Sequence, residues 1–285
     1  MSSRPAYTET ENELTVKANK RTFIFSKKDG QLKGISVDNR KISFANGPRF
    51  IGARRADRSL DQFYNHDDEK AKEKDRTYSE FPDAAVFTKL DVKEDGGNLV
   101  VTANYKLGNL DKAQWTINPS GELALDYTYN FSGVVDLMGI RFDYPEDQVI
   151  SKRWLGAGPY RVWQNRIHGT QYDVWENDYN DPIPGETFTY PEFKGYFGDV
   201  SWMNIQTKEG TISLTNETPD AYIGVYQPRD GRDRLLYTLP ESGISVLNVI
   251  PPVRNKVNST DLCGPSSQPK WVNGPQTGRV IFRFM

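Results

Sequence analysis

The sequence predicts an all-β protein, a single large antiparallel β-sandwich. Three observations carry this expectation. Short runs alternate between apolar and polar residues, the period of a strand with one face buried. Clusters of Gly, Asn, Asp and Pro punctuate these runs at the spacing of sandwich turns. No window of about 12 residues combines helical periodicity with caps.

The elements follow in chain order. Leu14-Thr15-Val16 and Thr22-Phe23-Ile24-Phe25 read as the first strands, Lys28-Asp29-Gly30 as a turn, and Leu32, Ile35 and Val37 as the next strand. Asp67 to Arg76 is the best helical stretch, but it is charged apart from Ala71 and reads as a solvated loop or a surface turn of helix. Val86 to Lys93 and Leu99 to Lys106 flank Glu94-Asp95-Gly96-Gly97, a hairpin signal. Ala113 to Ile117 and Leu123 to Phe131 flank Asn118-Pro119-Ser120-Gly121, a second one. Period two places Leu123, Leu125, Tyr127 and Tyr129 on one face. Further strands are expected at Met138 to Tyr144, Val200 to Thr207, Thr211 to Thr215, Tyr222 to Tyr226, Ile244 to Val249 and Arg279 to Phe284. Segments 145–198 and 250–278 show little strand pattern and read as long loops, the usual carriers of function or interface. Residues 1–12 read as a flexible leader and 13–285 as one domain.

Composition excludes several functions. A chain of 285 residues with 36% hydrophobic content buries a core without staples. Lys plus Arg is 36 and Asp plus Glu is 38, a net charge of −2, which argues against a nucleic-acid partner. No apolar run of about 18 residues offers a membrane span. The polar Met1–Glu11 stretch is not a secretory signal. That fits a cytoplasmic protein, or a fragment of a periplasmic or secreted one whose signal lies upstream. Cys263 is the single cysteine, which excludes an intramolecular disulfide and a cysteine-based zinc site, and it reads as a small loop residue. Two histidines, His66 and His168, are too few for a histidine-rich metal centre, and no phosphate-cradling motif is present, so no metal or cofactor is expected. Asp178, Asn180 and Asp181 have the oxygen groups a calcium ion needs, but before Pro182 and Pro184 they read as an Asx-rich turn.

One region stands apart. Trp154, Tyr160, Trp163, Tyr172, Trp175, Tyr179 and Tyr190 interleave with Arg161, Asn165, Arg166, His168, Asp173, Glu176, Asn177 and Asp178. Flat aromatic faces take the C–H face of a sugar, and planar amides, guanidiniums and carboxylates fix its hydroxyls. The plainer reading is that these aromatics fill a core beneath long loops. Further along, the Pro-rich stretch from Ile250 to Pro269 offers Arg254, Lys256 and, in the loop that follows, Trp271.

At this cluster the chain resembles a known family. Arg153-Trp154-Leu155-Gly156-Ala157-Gly158-Pro159-Tyr160 resembles the W-x-G-x-G-P signature in the C-terminal domain of glycoside hydrolase family 2 β-galactosidases. Asn165-Arg166 stands where that signature continues toward an Asp-Arg pair, and Tyr190 to Gly195 leads into Asp199-Val200-Ser201-Trp202 as the family's Pro-containing stretch leads into a strand. Phe23 to Leu32 is similar to the domain's opening strand and turn, and Arg49-Phe50 onward to its R-x-x-x-D region, with Asp57 as the acid. The likeness covers roughly 13–284. Arg161 stands for the family's Glu, Trp163 for its Tyr, Asn165 for its Asp, and Phe193-Lys194 for a Glu-Asn pair.

The resemblance implies a galactose-mutarotase-like supersandwich. It also implies the role of an accessory C-terminal domain or small subunit that shapes a substrate cleft beside a catalytic TIM barrel of the same or a partner chain. No catalytic residue is expected within this chain. The resemblance and the residue types together name Trp154, Tyr160, Trp163, Asn165, Arg166, His168, Trp175, Glu192, Arg254 and Trp271 as carbohydrate contacts. A glycosidase needs two carboxylates flanking the scissile bond. In this family both come from the barrel, whose roughly 250 residues alternate strands and helices, and no such alternation occurs here. Two other readings stay open: a stand-alone carbohydrate-binding module, and a mutarotase or epimerase using His66 or His168 with Glu241 as acid and base.

Overall fold

The computed structural model describes residues 3–55, 78–179, 194–226, 239–252 and 268–285. The described residues form nineteen strands, with a single 3₁₀ turn at Glu146–Gln148. The first sheet holds β1 (Ala6–Glu9), β2 (Glu13–Ala18), β3 (Arg21–Ser26), β4 (Leu32–Val37), β5 (Arg40–Ile42), β6 (Ala45–Arg55), β7 (Tyr78–Glu80), β12 (Leu137–Asp143), β17 (Tyr222–Gly224) and β18 (Ile244–Val249). Its order is β1-β2-β3-β4-β6-β12-β18-β17, with β5 against β4 and β7 against β6. The second sheet holds β8 (Val86–Asp95), β9 (Asn98–Lys106), β10 (Leu110–Ile117), β11 (Leu123–Val135), β13 (Val149–Gly158), β14 (Gln171–Asp178), β15 (Trp202–Thr207), β16 (Gly210–Asn216) and β19 (Lys270–Phe284). Its order is β14-β13-β15-β16-β19-β11-β10-β9-β8, and every pairing in both sheets is antiparallel. This is the expected all-β sandwich.

Both hairpins form where turn chemistry places them. Asp95 pairs with Asn98 across Gly96-Gly97, and both glycines have positive φ (58° and 91°), as a tight two-residue turn demands. Ile117 pairs with Leu123 across the Asn118 turn, and Leu123, Leu125, Tyr127 and Tyr129 all point into the core.

The core lies between the sheets and is aromatic. Phe44 sits 4.6 Å from Phe142 of the first sheet and 5.0 and 5.4 Å from Phe282 and Phe284 of the second, between ring centroids. Phe25 meets Trp115 at 6.0 Å and Phe50 meets Tyr129 at 5.4 Å. Offset and edge contacts of this kind add to the free energy of burial. Glu209 pins the layers at one end: its carboxylate accepts from the Ser43 amide (2.8 Å), the Ser43 hydroxyl (2.5 Å) and the Tyr144 hydroxyl (3.2 Å).

The two outer faces differ. On the nine-stranded sheet, register aligns Val174, Leu155, Trp202, Thr215, Ile281, Ala124, Thr116 and Val100 in one row. Apart from Ala124 these residues are half-buried or exposed. Ion pairs flank the row: Arg153–Glu176 and Arg283–Glu122 on one side, and Arg279 with Asp126 and Glu217 on the other. On the ten-stranded sheet, Ile51, Ala53, Leu137 and Leu247 face outward yet are 0–1% exposed. They form a second apolar core with Tyr78, Val162, Trp163, Tyr196, Leu239 and Ile250.

Three expectations need correction. The loop-like segment 145–198 contains β13 and β14. Their alternation is hidden because Lys152 is buried on the Trp154 side of β13, Gly156 and Gly158 interrupt it, and most of β14 is exposed. Trp271 lies on β19 rather than in a loop, and Pro275 is accommodated there because it pairs only with Asn130 of β11. Within the expected leader, Ala6–Glu9 forms β1, an edge strand on β2. His66, Asp57, the 67–76 stretch, Asn180, Asp181, Tyr190, Lys256 and Cys263 lie outside the described residues.

Candidate functional site

The W-x-G-x-G-P signature forms the end of β13 and the turn after it. Trp154 points into the core with 0% exposure, donates from Nε1 to the Ala157 carbonyl (3.0 Å) and meets Phe197 edge-on at 5.0 Å. The signature glycines are required by close packing. A Cβ on Gly158 would lie 2.4 Å from the Trp175 ring, and one on Gly156 would lie 2.9 Å from the Gly198 carbonyl. Trp175 is fixed in that position by Nε1 donation to the carbonyls of Gly156 and Gln171, both at 3.2 Å.

The chain after Gly158 folds over the ten-stranded sheet. Val162 and Tyr196 exchange backbone hydrogen bonds of 2.7 and 2.8 Å. Trp163 and Arg166 close a tight turn, with the Arg166 amide donating to the Trp163 carbonyl at 2.8 Å. Gln164 ties this turn to two other segments: its amide donates to the Pro251 carbonyl (3.1 Å) and its Nε2 to the Gln268 carbonyl (2.7 Å), two residues before β19. Trp163 is 1% exposed and meets Tyr196 edge-on at 5.8 Å. Burial drives the Tyr196 phenol far above its ordinary pKa.

Beneath this turn lies a cation–aromatic cluster. Arg161, where the resembled signature has an acid, is 2% exposed, and its guanidinium is 5.0 Å from the Tyr226 ring centroid and 5.9 Å from that of Phe197. The Lys152 ammonium is also 5.0 Å from the Tyr226 ring and donates to the Asp178 carbonyl. A carboxylate at position 161 would face the negative faces of these rings, so the arginine suits its surroundings. Asp136, 0% exposed, accepts from the Arg55 amide at 2.9 Å.

The ten residues expected to touch sugar divide by burial. Trp154 and Trp163 are buried and face neighbouring side chains. Tyr160, Asn165, Arg166 and Trp175 are half-buried, and His168 is exposed. Tyr160 and His168 are joined by a long 3.4 Å bond from the Tyr160 hydroxyl to the His168 carbonyl. Trp271 is 72% exposed. Glu192 and Arg254 lie outside the described residues. The structure thus brings Tyr160, Asn165, Arg166 and His168 onto one loop, and Gln164 links that loop to the chain leading into Trp271. Among the other residues of the cluster, Tyr172 is exposed with its hydroxyl 2.6 Å from that of Ser201, Tyr179 donates to Glu146 at 2.9 Å, and Glu176 pairs with Arg153 at 3.8 Å. No group of three His, Cys, Asp or Glu side chains suited to a metal occurs among the described residues.

The sequence reading named Arg49 only as the start of a resembled motif, and passed over Arg141 and Asp143. These outward charges lie at alternate positions beside the core residues Phe50, Ile140 and Phe142, and that alternation is the signal that could have found them. With Tyr144, Pro145, Glu241 and Gly243 they line a cavity of about 520 Å³.

No curated protein matches the sequence. Among solved structures, the galactose 1-epimerase from Lactobacillus acidophilus NCFM matches with a TM-score of 0.50 at 10% identity, covering 100% of this chain and 99% of that one. A putative aldose 1-epimerase from Escherichia coli K12 matches with a TM-score of 0.40 at 11% identity, covering 95% of this chain and 98% of that one. At these identities the first likeness shows a shared sandwich fold. No helix among the described residues is long and apolar enough to cross a membrane. The family model described as "Beta galactosidase small chain" matches residues 17–255, from within β2 to beyond the end of β18. A match of that extent, running through the W-x-G-x-G-P strand and both sheets, places this epimerase-like sandwich: the chain belongs to the beta galactosidase small chain family.

Proposed function

We propose that the chain acts as the accessory C-terminal domain or small subunit of a family 2 glycoside hydrolase, with 13–285 as one unit. Its catalytic partner is a TIM barrel in the same or another chain. The family match over residues 17–255 carries this reading. The chemistry of glycoside hydrolysis supports it. Two carboxylates about 5–9.5 Å apart must flank the scissile bond, and the described residues hold two β-sheets rather than a barrel that could present them. The chain's part is then to wall the cleft and hold the sugar. The exposed and half-buried groups Tyr160, Asn165, Arg166, His168, Trp175 and Trp271 supply the contacts, while Trp154 and Trp163 brace them from below. Glu192 and Arg254 stay in the proposal on their sequence positions alone.

The test is reconstitution. The purified chain is assayed on aryl β-galactosides alone and with a family 2 catalytic chain. Activity is expected only in the mixture, and Trp271→Ala should lower it by about 10-fold or more, the loss of one good aromatic contact. Hydrolysis by the chain alone, surviving repurification, would overturn the reading. A second reading, a stand-alone carbohydrate-binding module, is favoured by the 72% exposure of Trp271. Glycan binding without a partner, and no gain in activity with one, would select it.

A further inference from the structure

We propose that the cavity lined by Arg49, Arg141, Asp143 and Glu241 binds an uncharged monosaccharide unit, apart from the loop carrying His168 and from Trp271. Antiparallel register sets Arg49 of β6 directly opposite Arg141 of β12 on the outer face of the ten-stranded sheet. Two like charges placed this way repel, and each is met by an acid. Arg49 pairs with Asp143, and Arg141 pairs with Glu80 at 2.7 Å. Asn46 donates to the other Asp143 oxygen at 2.7 Å. Arg141 also donates to the Glu241 carbonyl, which ties the turn before β18 to the sheet. The polar groups are therefore positioned before any ligand arrives.

They are positioned but not saturated. Among the described residues Asp143 is the one acceptor Arg49 finds, and the buried Nε–H groups of Arg49 and Arg141 meet no acceptor there. Glu241 is exposed, and its carboxylate has no partner among the described residues. The cavity of about 520 Å³ adjoins a second of about 200 Å³ that shares Tyr144, Pro145, Glu241 and Gly243. That is ample for a single sugar ring.

The charge pattern selects the ligand class. Arg49 and Arg141 are balanced by Asp143 and Glu80, and Glu241 adds a negative charge. An anion would meet Asp143 and Glu241, and a cation would meet two guanidiniums. A neutral polyol can use donors and acceptors together, as hydroxyls do both. Pro145 gives an apolar surface for the ring's C–H groups.

The experiment uses the isolated full chain and amide-detected NMR titration with methyl β-galactoside, methyl β-glucoside and glucuronate. It reads binding rather than hydrolysis, so its failure is separate from failure of the accessory-subunit reading. Saturable shifts centred on Asp143 and Gly243 are expected with a neutral glycoside at millimolar concentration. Glucuronate should bind at least about 5-fold more weakly, the cost of one unfavourable charge contact near the surface. Asp143→Asn and Glu241→Gln should each weaken binding about 10-fold, the loss of one charge-assisted hydrogen bond, while Val100→Thr, on the outer row of the other sheet, leaves it unchanged. Glu241→Gln changes a group without a partner among the described residues, so it tests the site even if Asp143→Asn disturbs folding. Absence of saturable shifts up to about 50 mM, above the weak range of specific affinity, would overturn the proposal. So would full retention of binding in Glu241→Gln.

Discussion

On the nine-stranded sheet, Val174, Leu155, Trp202 and Ile281 stand in one outward row between rows of ion pairs, whereas on the ten-stranded sheet Ile51, Leu137 and Leu247 face outward beneath Trp163 and Tyr196. The contrast shows how one sandwich divides its labour. A face left to water tolerates change, and its side chains compete with solvent for every contact. A face covered by its own loops becomes an interior, and those loops gain the rigidity of a core. The half-buried and exposed residues Tyr160, Asn165, Arg166 and His168 are held by buried neighbours on the covered side. The sugar contacts proposed for these residues need such support.

Four changes would sharpen or break this contrast. Trp163→Ala on the covered face should cost about 3–5 kcal/mol in chemical denaturation, the range for deleting a buried aromatic. A loss below about 1 kcal/mol, that of a surface change, would mean the loop is not anchored. Alkali should act next. Burial raises the Tyr127 phenol to about 12, opposed by the Thr218 hydroxyl, and raises Tyr144 to about 12 as well. Unfolded tyrosine titrates near 10. The stabilisation is therefore complete below pH 10 and is lost as pH rises through 12, since the unfolded chain releases its protons first. For Tyr127 alone the loss is about 3 kcal/mol, and the slope of stability against pH should flatten in Tyr127→Phe. Gly158→Ala drives a methyl toward the Trp175 ring and should cost about 1–3 kcal/mol, as overpacking does. Unchanged melting would show that Trp175 moves freely. The smallest effect is Val100→Thr in the outward row, expected within about 0.5 kcal/mol. A loss of 2 kcal/mol or more, the size of a core truncation, would show that this face is covered after all.

The same contrast explains what could be read from the sequence. Where one face meets solvent, alternation survives, and Leu123, Leu125, Tyr127 and Tyr129 were legible as a buried row. The Gly96-Gly97 turn was legible because glycine takes two successive positive φ angles without the steric cost of a Cβ. Where both faces are covered, polar alternation disappears. Ile51 and Ala53 flank Gly52 without a polar residue between them, and nothing local says which face holds a site. The aromatic cluster around Trp154 was legible as a region but not residue by residue. Composition cannot separate Trp163, which packs inward against Tyr196, from Trp271, which projects outward. The Arg49–Arg141 pair escaped notice because the two residues are adjacent only through strand register, 92 positions apart in the chain.

Strand β19, Lys270–Phe284, lies between β11 and β16, in the middle of its sheet. During synthesis the ribosome delivers β11 and β16 long before the strand that must separate them. Until residue 284 clears the exit tunnel, two strand edges stand open with their central partner missing, the condition that invites wrong pairing and chaperone capture. Stop codons or proteolytic cuts just upstream of 270 should therefore be far more damaging than equal losses from β1 at the outer edge.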